Sequence, residues 1–540
     1  MTRTAVFICL LAANATCLRA QPAILTDFPG ASLQNHAVSG NSISLNGVAS
    51  WSEFDTSYRW VHFRATGMDG QNPRFTLGSP GNTFLGDLTD HRFVYSYDQQ
   101  TWWFFDVNEG NSAFFTFSND QPFTQDEVYV AYSTPYSVAR TAERVDQLLT
   151  DWFAVPSPSA NLQGVIDTIQ GEPLWGLKIT NPLSIQPKQR IVIATGNHSG
   201  EHGGMYAFEG FLNAITSDTP LAQGLRDIAE FYVYPQLDPL GRNEGFYRGN
   251  SQNPANDHNR FWNALTTGVN GGFQEIDILA AAMKSDTDSD VDFTFDFHGF
   301  FDSGPNYLYG DNRASRTVFV QELLRIEPDI EFTLDNRTTP AGILEFWAKT
   351  PAGLNSTYSF TPEFSPNMTS DELRQLGESY AEALFVHFGR PDVIYSTTQI
   401  DELAAAVRTQ DPRPELDFNK DQHLDIADTL FYVNQVLGTV VGDANLDRRF
   451  DSSDLVQVFQ AGVYEDAMTA NALWSTGDWN GDAEFDSTDL VTVFQANTFQ
   501  STVISVPEPT AASLIIAAIF MVSFARLQRT IIPAISIRDC

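Results

Sequence analysis

The residues best placed to do chemistry in this 540-residue chain lie in Ile191-Val-Ile-Ala-Thr-Gly-Asn-His-Ser-Gly-Glu-His-Gly-Gly-Met205. A β-branched apolar run stops at Gly196 and releases His198 and Glu201, three apart, before residues 206–215 resume with a helical apolar rhythm. That pattern predicts a buried strand, a turn and a helix, and the crevice at such a turn is where ligands collect in an open α/β sheet. Asp292-Phe-Thr-Phe-Asp-Phe-His298-Gly299 is a second alternating strand that also ends in His and Gly. Two imidazoles and one carboxylate make a zinc-type ligand set that leaves a fourth position open for water.

Three further stretches carry polar groups in the same part of the chain: Gly245-Phe-Tyr-Arg248, Asp257-His-Asn-Arg260-Phe-Trp262 and Tyr358-Ser-Phe-Thr-Pro-Glu363. With His198-Ser-Gly-Glu201 and the distant His298, they resemble the M14 zinc carboxypeptidases, in that family's order and across about residues 164–391. Asp238-Pro-Leu-Gly241 is similar to a degraded Asn-Pro-Asp-Gly element of the family. The resemblance implies one catalytic zinc on His198, Glu201 and His298, with Glu363 as general base. It also implies Asn259 and Arg260 gripping a substrate's terminal carboxylate and Arg248 stabilising the oxyanion. The substrate would then be the C-terminus of a peptide or protein. Residues 342–355, where the family's closing tyrosine is expected, contain no Tyr.

Each residue also has a plainer reading. His198 alone could be a loop histidine, Arg260 could merely pair with Asp257, and Glu363 could be a buried ion-pair partner. His202 and His258 adjoin the motif residues without matching ligand positions, and are read as groups behind the ligands or on the surface. Two other function classes stay open: a related zinc amidohydrolase, deacylase or esterase, and a non-catalytic envelope binding protein.

The elements that must position these residues run from about 146 to 395. Strands near 190–195, 231–235, 292–297 and 356–364 alternate with helical stretches, which predicts an α/β domain with a mixed sheet. A closing helix capped by Thr369 or Ser370 should end at Gly389 and Pro391. Ahead of it, residues 25–145 show period-two strands such as Trp102-Trp-Phe-Phe105 and Phe114-Phe-Thr-Phe117, predicting an antiparallel β-sandwich. The aromatics there are either core or a sugar-binding face. Residues 126–136 resemble the segment that joins an N-terminal β-domain to the catalytic domain in cytosolic-carboxypeptidase-like members, and residues 139–153 read as a helical hinge.

Beyond a linker at 396–414 that includes a short helix, residues 415–500 repeat one acidic pattern three times. Its members are Asp417, Asn419, Asp421, Asp425 and Asp428; Asp443, Asn445, Asp447, Asp451 and Asp454; and Asp478, Asn480, Asp482, Asp486 and Asp489. Oxygen ligands at positions 1, 3, 5, 9 and 12 have the spacing of a calcium loop, each leading into an amphipathic helix. The repeats resemble dockerin modules, which implies up to three structural calcium ions and a cell-surface protein or polysaccharide partner. This stretch holds 16 acidic and 3 basic residues, a net of −13, so bound cations are expected for compact folding.

The whole chain has a net charge of −36, which argues against nucleic-acid binding. Its cysteines, Cys9, Cys17 and Cys540, all fall in terminal segments, so the central chain has neither disulfide nor thiolate ligand. Residues 1–20 read as a secretory signal, Arg3 preceding an apolar run. Residues 505–529, opening with Val506-Pro-Glu-Pro509, resemble a PEP-CTERM sorting signal whose apolar run is short for a permanent span. Export to a bacterial envelope, with membrane attachment through the tail, is the corresponding expectation.

Overall fold

A computed structural model of the chain describes residues 21–46, 60–78, 88–110, 114–254, 256–262, 273–300, 304–335, 342–391 and 396–500. The expected signal and sorting tail lie outside the described residues. Among those residues no helix is long and apolar enough to cross a membrane. The chain divides into two compact units, one ending at Phe431 and the other beginning at Tyr432.

The first unit opens with a strand-rich region of two five-stranded sheets around one aromatic core. One sheet, in the order Ala23–Leu25, His62–Thr66, Val128–Ala131, Val94–Ser96 and Trp103–Phe104, is antiparallel throughout. The other departs from the antiparallel expectation, because Ser42–Asn46 and Arg74–Gly78 pair in parallel. The chain visits His62–Thr66 of the opposite sheet between those two strands, so it returns by a crossover rather than a hairpin. Phe75, Phe93, Phe105 and Phe117 are buried, with Phe93 and Phe117 stacked at 4.2 Å, so these aromatics are core.

Behind this region lies an eight-stranded mixed sheet. Its order is Ala154–Pro156, Leu177–Ile179, Ala229–Tyr234, Gln189–Thr195, Phe293–Gly299, Tyr358–Phe364, Asn306–Gly310 and Ile330–Leu334. The four strands from Ala229–Tyr234 to Tyr358–Phe364 run parallel and are buried on both faces, which explains their near-continuous apolar sequences. Helices His202–Thr216 and Ser370–His387 cross closely: a Cβ at Gly377 would overlap the Ala207 carbonyl. Thr369 caps the second of these in a capping box with Glu372.

Helix Val138–Leu148 is not a free hinge. Its Val138, Thr141, Val145 and Leu148 are buried, and Arg140 and Arg144 bond Glu209 and Asn213 on the His202–Thr216 helix. The stretch read as a linker carries a 13-residue helix, Thr397–Thr409, that buries Ile400 and Leu403. Trp60, from the strand-rich region, stacks on His202 with ring centroids 4.0 Å apart.

The three acidic repeats share one backbone. Positions 4 and 6 have positive φ in every copy: Lys420 and Gln422, Leu446 and Arg448, Gly481 and Ala483. The first aspartate accepts from backbone N–H groups inside its loop, and the twelfth accepts from positions 3 and 9. Their surroundings differ. In the first unit Phe418 stacks on Trp152 and Lys420 Nζ donates to the Ala154 carbonyl, whereas in the second unit Trp474 Nε1 donates to Asp443, joining the second and third copies.

Candidate active site

Sheet topology converts the motif spacings into one site. His198 and Glu201 lie on the turn after Gln189–Thr195, His298 is at the C-terminal end of the adjacent strand, and Glu363 is its partner across the next ladder, in direct register. The site therefore sits outside the carboxyl ends of three neighbouring parallel strands. Gly204 makes the approach possible, since a Cβ there would fall 2.7 Å from the carbonyl carbon of His298 and push the Glu201 turn away.

The Nδ1 atoms of His198 and His298 lie 2.9 and 2.8 Å from the two oxygens of Glu201. Each ring's Nε2 faces a carboxylate, Asp257 at 2.9 Å for His198 and Asp296 at 2.8 Å for His298. Donation from Nε2–H to these carboxylates leaves both Nδ1 lone pairs aimed at Glu201, a cluster of acceptors alone that fits a divalent cation. All three side chains are buried, and their ligand atoms lie within 4.8 Å of one another. Burial alone would raise the Glu201 carboxyl, but His198 and His298 hold it below the usual carboxylate range. Burial also opposes charge on His298, yet Asp296 and Glu201 raise it well above the ordinary value.

A cavity of about 330 Å³ opens beside it, lined by His198, Arg248, Asn259, Arg260, His298 and Glu363 together with Phe300, Tyr309, Leu334, Asp335, Ile343 and Thr361. Arg248 reaches Asp257 at 3.0 Å and Glu201 at 3.4 Å. The Asn259 side chain accepts from Leu344 N at 2.9 Å, fixing the loop. Arg260, 39% exposed, lines the cavity, donates to the Asn259 carbonyl at 2.7 Å and lies 3.7 Å from Asp257. Burial and the nearby Glu201 push the Glu363 carboxyl up to about 8. A cation at the ligand set would oppose that shift.

All seven catalytic and zinc-site residues singled out in the sequence thus meet at one place. His202 and His258 are both buried, not on the surface. His202 Nδ1 accepts from Tyr136 N at 2.8 Å and from Arg242 at 2.7 Å. The sequence reading passed over Asp257 and Asp296 as orienting groups. Asp296 could have been found from strand alternation, since it shares a face with His298 two residues on. Tyr309 was also missed; it arrives on an antiparallel strand, opposite Thr361.

The fold and site together define an α/β domain with a mixed sheet and a two-histidine, one-glutamate cluster that could hold a metal ion. Residues 157–401 match the model of the M14 zinc carboxypeptidase family. Human cytosolic carboxypeptidase 2 is 26% identical over 332 residues, covering 56% of this chain and 36% of that protein. The Macaca fascicularis protein of the same name is equally similar, with 38% of its length covered, so the chain spans well under half the length of these relatives. Among solved structures, a Burkholderia cenocepacia metallo-carboxypeptidase shares the fold with TM-score 0.56 at 20% identity, over 69% of this chain and 100% of that one. A Pseudomonas aeruginosa metallo-carboxypeptidase in complex with (2-guanidinoethylmercapto)succinic acid gives 0.57 at 20%, over 68% and 99%.

Proposed function

We propose that this protein removes C-terminal residues from peptides or proteins. The observation that carries the proposal is the convergence, on one cavity, of a metal-ligand set, a carboxylate in register with it and two arginines. His198, Glu201 and His298 would hold zinc, which supplies Lewis acidity and acidifies water when bound. Glu363 is the base that takes the water proton and returns it to the leaving amine. Arg260, with Asn259 beside it, binds the substrate's free carboxylate through paired charge-assisted hydrogen bonds. Arg248, braced by Asp257, faces the oxygen on which charge develops.

The acidic loops support a further part of the reading: they hold calcium. The backbone bends at position 6, where calcium loops demand a positive φ, in all three copies, with Gln422, Arg448 and Ala483 there in place of glycine. Calcium would neutralise the clustered carboxylates and let the loops present their helices to a cell-surface protein or polysaccharide. The apolar leader and the Pro-Glu-Pro tail support a reading in which the enzyme is exported and works at a bacterial envelope.

The test is digestion of matched peptides with free and amidated C-termini, read by mass spectrometry beside zinc content, for the natural chain and Glu363→Gln. Cleavage of free termini only, lost by ~10²–10⁴-fold with zinc retained in the variant, is the expected result. Equal turnover of both peptides would shift the assignment to amidohydrolase or esterase chemistry, and near-normal turnover by Glu363→Gln would remove the proposed base.

A further inference from the structure

We propose that Asp238, His258 and Glu275 bind a second divalent metal ion, a structural one of the zinc class, separate from the site at His198, Glu201 and His298. These side chains come from three segments. Asp238 caps helix Pro239–Glu244, His258 precedes Asn259, and Glu275 lies in the first turn of helix Gln274–Thr287. They are 0%, 0% and 1% exposed, and one ligand atom from each lies within 4.8 Å of the others.

Hydrogen bonding determines what this cluster lacks. Asn197 Nδ2 donates to Asp296 at 3.0 Å, so Asn197 Oδ1 is an acceptor, and it takes Trp262 Nε1–H at 3.2 Å and His258 Nδ1–H at 2.8 Å. A neutral His258 then turns a bare Nε2 lone pair toward Glu275, 3.3 Å away and without hydrogen-bond geometry. Asp238 Oδ2 and Glu275 Oε2 likewise have no donor. The amide of Asn250 bridges the two carboxylates, but it carries no charge. Against its burial, Glu275, Asp238 and Asp257 raise the His258 imidazole, and a divalent cation at the centre would balance both buried carboxylates with the imidazole neutral. One nitrogen and two carboxylate oxygens suit zinc or a neighbouring transition ion. Burial pushes the Asp238 carboxyl up, with Glu275 adding to the shift and His258 opposing it, to about 6. That is the mark of a carboxylate short of positive charge.

An ion here would pin the 245–262 loop, which carries Arg248, Asn259 and Arg260, to the N-terminal ends of the two helices on either side. The same hydrogen bonds continue from His258 through Asn197 and Asp296 to His298. The second ion would thus brace the catalytic arginines without touching substrate.

The experiment uses the full chain, loaded with zinc and freed of excess by gel filtration. Zinc is counted by inductively coupled plasma mass spectrometry and located by anomalous diffraction at the zinc edge. The expected result is a peak among Asp238, His258 and Glu275 besides the one at His198, with one equivalent lost in His258→Gln and in Glu275→Gln and the other lost in His298→Ala. A map of the natural chain with no peak at the triad overturns the proposal and leaves a protonated His258 as the balancing charge. So does a second equivalent that survives both triad substitutions, because it would then sit elsewhere, as in the acidic loops. Should a triad variant fail to fold, the map of the natural chain decides alone.

Discussion

Replacing Asp257 by asparagine separates metal binding from oxyanion stabilisation. The Asp257 carboxylate is 3% exposed and does three jobs at once: Oδ1 accepts from His198 Nε2 and from Asn259 N, both at 2.9 Å, and Oδ2 accepts from Arg248 at 3.0 Å. Burial would raise this carboxyl, but His198, Arg248 and Arg260 hold it well below the usual range, so it is ionised throughout the working pH range. Asparagine can keep the two bonds to Oδ1, but its NH₂ then confronts the Arg248 guanidinium, donor against donor. The lost charge-assisted bond is worth about 1.5–3 kcal/mol, and removing the negative charge also makes His198 a weaker base. Groups that orient a metal-bound histidine typically contribute ~10–100-fold to affinity or activity. Zinc affinity should therefore fall by about that factor, roughly 1.4–2.7 kcal/mol at 1.36 kcal/mol per decade. Chelator competition measures the affinity, and kinetics at saturating zinc isolate what remains. A residual fall in kcat after the metal is restored belongs to the displaced Arg248. Should Asp257→Asn keep both its zinc dissociation constant and its saturated kcat, the orienting role drawn from these distances would be refuted.

Three further outcomes follow from other parts of the molecule. Arg260→Ala should leave zinc content intact while narrowing the difference in kcat/KM between peptides with free and amidated C-termini; an unchanged ratio would remove Arg260 from carboxylate recognition. Gly377→Ala should lower the melting temperature despite the helix-propensity gain of ~1 kcal/mol, because the added methyl overlaps the Ala207 carbonyl and overpacking costs about 1–3 kcal/mol or more; thermal unfolding decides the sign. In the 432–500 unit, burial and the neighbouring Asp489 and Asp482 push Asp478 up from 3.8 to about 7. The calcium-free fold holds a proton that the unfolded chain releases, so its stability should fall as pH rises from about 4 to about 7. Calcium should reverse that trend, binding more tightly across the same window. Melting curves with EGTA or calcium at pH 5 and pH 8, compared with Asp478→Asn, test both signs.

The candidate metal ligands were legible because chemistry and punctuation coincide in them: an apolar strand, a glycine, then a histidine. The pairing of His298 with Glu363 was not legible, since register between residues 65 apart in sequence is set by sheet packing that no local pattern encodes. The same holds for the Val138–Leu148 helix. Its amphipathic pattern is visible, but its partners Glu209 and Asn213 lie about 70 residues away, so a packed helix and a hinge read alike. The parallel pair in the strand-rich region was hidden for a related reason, because alternation reports a strand's faces and not its direction. His258 looked peripheral because its neighbours Asp238 and Glu275 are distant in sequence and meet it only in the folded core.

The stacking of Trp60 on His202 has a consequence for how this chain can be recombined. His202 follows the ligand Glu201 directly, and its ring is covered by an indole that belongs to the strand-rich region. A gene fragment cut between the two regions would uncover that face of the imidazole, one peptide bond from Glu201. The strand-rich region is accordingly part of the packing behind the Glu201 turn and not cargo. Swapping it for another module, as shuffled architectures do with their appendages, would need a new aromatic cover grown in the same place.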